Sequence, residues 1–279
     1  LLLLLISFLF GSAYPAQKLI FNESVPPILM GSLRMLIVCI CLIPFWRFKI
    51  PNKKYWFPLF IFSICMGFLT NFFMTLSLKA ADIVSPIIIG SQLAIPFAIL
   101  LSSFFLKEKV NYKKWILIFS SFFGVILLSF DPLIKDEIFS LFLVSFMAFF
   151  YASAQVFSRY LKELDVTLTN SLMGLCGFLC LITTSYIFEG NAVENIININ
   201  IKSWLLILHS AIFVSIGAHM SMFYLYKIYP VNKVFPFYAL FPIFGILQTM
   251  VIFNEIPTFT IIIGGVIVIT SIYLLNKLD

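Results

Sequence analysis

The chain has 279 residues, of which 62% are hydrophobic, 18% aromatic and only 11% charged, with a formal net charge of +6. Soluble domains run at roughly 45–50% apolar and about 25% charged, so a water-soluble enzyme, a disulfide scaffold, a disordered tail and a nucleic-acid binder are all excluded. The composition predicts an integral membrane protein whose partner is the lipid bilayer, with no nucleic acid. The five cysteines lie inside apolar runs without a CxxC pair or a histidine cluster, so neither a metal nor another cofactor is expected. The chain opens at Leu1 in a run of five leucines, without the basic segment or cleavage pattern of a signal peptide.

A helix needs about 20 apolar residues to cross a bilayer. Charges, prolines and asparagines punctuate the chain into ten predicted spans, at 1–21, 27–46, 56–78, 83–106, 113–130, 138–159, 167–188, 203–226, 231–253 and 258–276. The longest connection runs from Glu189 to Lys202, and no segment remains to form a soluble domain. Trp56, Trp115, Trp204, Tyr55 and Tyr112 fall at span ends and are expected in the interfacial belt. Thirteen basic residues, among them Arg47, Lys53, Lys107, Lys113, Arg159 and Lys277, fall on one side of the membrane under this reading. Lys18, Lys79, Lys135 and Lys202 fall on the other, and Arg34 stays inside the second span. The excess predicts cytoplasmic termini, in a multi-pass protein of the inner membrane.

The two halves repeat. A shift of 148 residues places Trp56 on Trp204, Asn71 on His219, Met74 on Met222 and Lys79 on Lys227. A shift of 147 places Glu108 on Glu255, one of 138 places Ala16-Gln17 on Ala154-Gln155, and one of 143 places Leu29-Met30-Gly31 on Leu172-Met173-Gly174. The matches run in order, span 1 on span 6 through span 5 on span 10, and divide the chain into units 1–133 and 134–279. Five spans per unit is an odd number, so the units must be inverted relative to each other. The expected fold class is therefore all-α integral membrane, ten transmembrane helices as two inverted five-helix repeats, a recurrent plan of secondary transporters.

Local motifs then carry a resemblance. Phe10-Gly11-Ser12-Ala13-Tyr14 in span 1, Pro26-Pro27 followed by Arg34 in span 2, and Pro96…Glu108 and Pro242…Glu255 in spans 4 and 9 resemble the drug/metabolite transporter superfamily, EamA type. Two features depart from the pattern: the two Pro-to-Glu spacings differ by one residue, and Gly177 stands in span 7 where Arg34 stands in span 2. The resemblance implies transport of small polar metabolites, with amino acids or related metabolites as the substrate class, by a monomer or homodimer that is not an enzyme.

Polar groups in hydrocarbon must find partners or line a cavity, which makes them the candidate substrate-binding residues. Arg34 lies about 10 Å into its span at ~1.5 Å per residue; it is either a counter-charge for an anionic substrate or a snorkelling side chain that binds helix-end carbonyls. Asn71 and His219, matched by the repeat, form a cavity-lining pair or fasten helices to one another. Gln17 and Gln155 are a matched pair directed toward opposite faces. Tyr151 and Gln155, Gln92 and Pro96, and Tyr238 and Pro242 are spaced i, i+4 and share helix faces. Each proline frees a backbone carbonyl one turn earlier for a ligand or a hinge. Glu108 and Glu255 read as helix-end fasteners, and Gly264-Gly265 as a close helix contact with a dimer seam as one option. All twelve carboxylates map to span ends or connections, which predicts uniport or exchange rather than carboxylate-based ion coupling. Proton coupling through His209 or His219 is the alternative. An intramembrane enzyme would need paired aspartates or HExxH, which are absent, and a channel would need rings of charge.

Overall fold

The computed structural model describes residues 2–45, 51–107, 110–128, 130–131, 137–228 and 240–278. Among these the regular elements are helices, in ten successive spans: α1 Leu2–Asn22, α2 Pro27–Phe45, α3 Lys53–Ala80, α4 Ser85–Phe105, α5 Tyr112–Leu128, α6 Ile138–Leu161, α7 Val166–Phe188, α8 201–228, α9 Phe241–Phe253 and α10 Phe259–Lys277. Seven of them are long and apolar enough to cross a membrane by length and composition alone. The expected start of span 9 lies outside the described residues. The expected loop between α7 and α8 holds a short helix, Ala192–Ile197, because Asn191 accepts the Val193 N–H at its start. Asn200 then caps α8 in the same way, accepting from Ser203 N at 2.8 Å.

The packing obeys the repeat. α2 packs on α7 and α5 on α10; α1 meets α9 as α6 meets α4; α3 meets α6 and α7 as α8 meets α1 and α2. Exchanging each helix for the one five places later maps this set onto itself, as two inverted repeats require. The surface is apolar: Phe57, Phe60, Phe119, Phe123, Leu179 and Val251 are all exposed. Serines and threonines such as Ser32, Ser77, Ser121, Ser185 and Thr249 are buried between helices. Water would disfavour such a surface, whereas lipid favours it and leaves polar side chains to join helices.

Small residues set the close crossings. A Cβ on Gly264 would lie 2.8 Å from the Gly124 carbonyl oxygen and 2.7 Å from Leu128 Cδ2, so Gly264 serves the α5–α10 contact within one chain. The dimer seam weighed for Gly264-Gly265 is thereby replaced by an intrachain seam. Tyr55, expected in the interfacial belt, is buried and donates its hydroxyl to Glu163. Trp56, Tyr112 and Trp115 are exposed at span ends.

The end of the bundle opposite the chain termini is closed by cross-helix caps. Lys18 of α1 donates to the Ala81 and Leu78 carbonyls at the end of α3, and Lys79 of α3 donates to the Phe21 carbonyl at the end of α1. Each ammonium thus meets the negative end of the other helix dipole. The Glu189 carboxylate accepts from Ile28 N (2.7 Å), Leu29 N (2.9 Å) and Ser185 Oγ (2.7 Å), capping the start of α2. Glu255 accepts from Val84 N (2.9 Å), Ser85 N (3.3 Å) and Ser85 Oγ (3.1 Å) at the start of α4. Glu137 accepts from the Asp82 and Ile83 N–H groups of the same turn. Glu23 pairs with Lys202 at 2.7 Å, and the hydrogen bond from that ammonium holds its carboxyl below the usual range. At the opposite end, Asp165 caps α7 through the Thr167 and Leu168 N–H groups at 2.8 and 3.1 Å. Asp165→Ala is expected to cost about 1 kcal/mol of stability, measured as a lowered unfolding midpoint, with Asp165→Asn nearly neutral.

Candidate functional site

Both α3 and α8 leave α-helical geometry at their centres. Ser63–Leu69 and His209–Ala218 are wound as π-helix, in positions related by the repeat. A π segment adds a residue to the turn, and where it returns to α-helix a backbone carbonyl loses its partner. Side chains supply the missing donors. Thr70 Oγ1 donates to Cys65 O at 2.7 Å, and Asn71 Nδ2 to Met66 O at 2.8 Å and Gly67 O at 3.0 Å. In the second repeat Ser215 Oγ donates to Ser210 O at 2.9 Å, and His219 Nδ1 lies 3.1 Å from Val214 O. The 148-residue shift that carries Asn71 to His219 also carries Met66 to Val214. Asn71 and His219 therefore do the same local work, each five residues beyond its acceptor. A carbonyl only accepts, so His219 carries its proton on Nδ1 and presents Nε2 as an acceptor when neutral.

Around His219 the structure gathers groups from α1, α2, α4, α6, α8 and α9. Arg34 Nε donates to Ser215 Oγ at 3.1 Å, and Arg34 lies within electrostatic range of His219 and of Tyr14. The Tyr14 hydroxyl lies beside Ser91 and within range of Tyr151. Phe10 meets the His219 ring edge-to-face at 4.7 Å, and Phe241 stacks on Tyr14 at 6.1 Å and contacts Phe10 at 6.4 Å. Tyr14, Ser91, Phe10 and Phe241 are buried, whereas Arg34, Tyr151, Ser215 and His219 are half-buried although all four lie in mid-span. The cluster has a cation, an imidazole ring, phenol and serine hydroxyls and aromatic walls.

The helix that carries Ser91 is broken there. α4 consists of Ser85–Ser91 and Ala94–Phe105, separated at Gln92-Leu93. The ring of Pro96 cannot accommodate the carbonyl of Gln92 at α-helical distance, which turns the chain. That carbonyl is not left free, as the sequence suggested, because Ile95 N takes it at 3.1 Å.

The residues singled out from sequence distribute as follows. Arg34, Tyr151 and His219 come together in the cluster. The snorkelling alternative for Arg34 gives way to a bond across the bundle to Ser215. Asn71 directs its amide donors to its own helix and to Met35 Sδ at 3.7 Å, rather than fastening α3 to a partner through a polar pair. Gln17 and Gln92 are buried, with side-chain nitrogen and oxygen unpartnered. Gln155 is exposed near the end of α6, so Tyr151 and Gln155 differ in surroundings despite their shared spacing. Tyr238 and Glu108 lie outside the described residues. Sequence reasoning did not single out Ser91, Ser215 or Phe241, and noticed Phe10 and Tyr14 only in a motif. A usable signal existed for Ser215, which the 148-residue shift sets against Gly67, a polar residue against a glycine. Among the described residues no three potential metal ligands come together.

The repeat also exposes an asymmetry. Arg34 and Ser215 are the counterparts of Gly177 and Gly67. At the α3–α7 crossing a Cβ on Gly177 would lie 2.5 Å from the Gly67 oxygen, so the two backbones are in contact. At the equivalent α2–α8 crossing a guanidinium and a hydroxyl stand between the helices. One crossing is backbone against backbone, and the other is bridged by a polar pair.

Comparison with known proteins places this architecture. A crystal structure of a protein with 17% sequence identity matches over 99% of this chain and 98% of its own, with a TM-score of 0.64, and so shares the fold. A search of curated sequences finds no match. The model of the EamA-like transporter family matches twice, over residues 1–130 and 138–277. The chain thus belongs to the EamA-like transporter family, within the drug/metabolite transporter superfamily, and is a multi-pass membrane transporter rather than an enzyme.

Proposed function

We propose that the chain is a secondary carrier of small polar metabolites, amino acids or related compounds, working as a uniporter or exchanger by alternating access. The observation that carries this reading is the mid-span cluster of Tyr14, Arg34, Ser91, Tyr151, Ser215 and His219, drawn from helices of both repeats. Rocking of one repeat against the other would open such a cluster to each side in turn. The caps from Lys18, Lys79, Glu137, Glu189 and Glu255 join the helix ends opposite the termini, contacts that alternating access would have to break and remake. The π segments of α3 and α8 lie beside the cluster and supply flexible points about which half-helices bend. The uneven distribution of Lys and Arg supports cytoplasmic termini in an inner membrane.

Counterflow in proteoliposomes tests the reading. Vesicles loaded with a metabolite panel and exposed to labelled amino acids are expected to show uptake accelerated by an internal compound and unchanged when the pH gradient is collapsed. Acceleration that vanishes with the gradient would instead support histidine-based proton coupling. Absence of acceleration with every compound, in vesicles shown to hold folded protein, would overturn transport of this substrate class. His219→Ala is expected to lower the transport rate roughly tenfold, the equivalent of about 1.4 kcal/mol, with a smaller effect on thermal stability. Equal losses of both would assign His219 to packing alone.

A further inference from the structure

Arg34 is a mid-span charge with no counter-charge among the described residues. Its Nε is bonded to Ser215, and no other hydrogen bond or ion pair holds it among the described residues, so its two terminal amino groups are unpartnered. A guanidinium has five donors and does not deprotonate in proteins, so four donors and a full positive charge remain to be matched. The carboxylates of the chain cannot match them. All twelve map to span ends and connections; Glu137, Glu189, Glu255 and Asp165 cap helix N-termini, and Glu23 and Glu163 tie span ends and loops together. An ionisable side chain in this setting faces a water-filled space or a ligand of opposite charge. Arg34 is half-buried in mid-span, and the glycine pair at the equivalent crossing shows how tightly the helices close where no such side chain is present.

We infer that Arg34 is the receptor for an anionic head on the transported compound, a carboxylate or a phosphate held bidentately, and that this head is the required part of the substrate. The inference rests on the carrier reading above and names its substrate class. The planar fork of Arg34 matches two oxygens of either group, and Tyr14, within range of the same charge, presents a hydroxyl that can donate to a remaining lone pair of a carboxylate or to a third oxygen of a phosphate. Phe241 stacks on the Tyr14 ring and Phe10 packs on Phe241, an aromatic wall that suits an apolar or aromatic body. The cluster has no carboxylate to receive an ammonium group. An amino acid therefore fits through its carboxylate, and its amino group contributes little: the deaminated acid binds as well as the amino acid, and the amide does not bind.

Purified protein in lipid nanodiscs gives the test, with thermal stabilisation as the readout of binding. The probes share one aromatic body: phenylalanine, 3-phenylpropionate, phenyl phosphate, phenylalaninamide and phenethylamine. The two carboxylates, the phosphate or both classes are expected to stabilise the protein, with the preferred head read from the relative shifts, and the amide and the amine are expected to bind at least roughly a hundredfold more weakly. Arg34→Gln is expected to abolish the difference between acid and amide, and Arg34→Lys to retain part of it through charge without the fork. Amide or amine binding as tight as that of the acid overturns the inference, on the wild-type protein and without reliance on any variant. Binding of none of the five, with counterflow still observed for other metabolites, overturns the anionic aromatic class and leaves the carrier reading standing. Binding of the acids without movement of any compound in proteoliposomes overturns the carrier reading and leaves the anion site standing.

Discussion

Glu255→Ala is expected to destabilise the protein by about 3 kcal/mol, as read from the denaturation midpoint in detergent. The reason is where its acceptors point. Val84 and Ser85 are fully buried at the start of α4, and Pro86 follows directly, so this helix start has no water to satisfy its N–H groups. The carboxylate accepts from both N–H groups and from the Ser85 hydroxyl. Removing it leaves buried donors at a cost of about 1–3 kcal/mol each and loses the interaction of the charge with the helix dipole. Glu255 reaches α4 because Asn254 adopts a left-handed conformation, φ 56°, which turns the chain back at the end of α9. Lys107, its counterpart by the 147-residue shift, has the same φ of 56° before Glu108. Glu255→Gln retains one acceptor and presents an N–H to an N–H at the other position, so an intermediate loss is expected. A wild-type midpoint for the alanine variant would show that the carboxylate is dispensable for this end of the bundle.

Much of this architecture was readable from composition and order, and the readable part has a common cause. Spans are recognised because a bilayer imposes a length on every helix, and the inverted repeat because five is odd. Glu255 was recognisable as a fastener because charge at a span end has few other uses. Arg34 and His219 stood out because polar groups in hydrocarbon are costly. The same criterion also selected Gln155, which is exposed, and Asn71, whose donors serve a π turn of its own helix. Cost tells that a polar group needs a partner, but not whether the partner is a ligand or a backbone carbonyl five residues earlier. The π segments have no compositional mark, so neither Asn71 nor His219 could be assigned its local acceptor. Tyr14, Ser91 and Ser215 join the cluster from helices remote in sequence, and only packing brings them together. Lys18 and Lys79 counted against the positive-inside distribution until their role appeared: each caps the carbonyl end of a neighbouring helix.

Gly67→Val is expected to prevent folding, with a loss well above about 3 kcal/mol, because the obstacle is backbone on both sides. Its Cβ alone would lie 2.4 Å from the Met173 carbonyl oxygen and 3.2 Å from Gly177 Cα. Overpacking of a core commonly costs about 1–3 kcal/mol when side chains can move aside, and here no side chain is available to move. The crossing also carries the π turn, since the Gly67 carbonyl accepts from Asn71 and forced separation of α3 from α7 strains that bond too. The comparison that isolates the cause is Gly217→Ala in α8. There, among the described residues, the only atom within reach of the new Cβ is the Ile212 oxygen, at 3.3 Å in the same helix, and little change is expected. Folded protein is scored by monodisperse elution after extraction and by a cooperative melting transition. A folded Gly67→Val variant would mean that α3 and α7 separate without penalty, and the sealed crossing would then be as adjustable as its counterpart. Loss of fold with retention in Gly217→Ala would show that the contact of the glycine pair at the α3–α7 crossing, rather than small residues in these helices generally, fixes that side of the bundle.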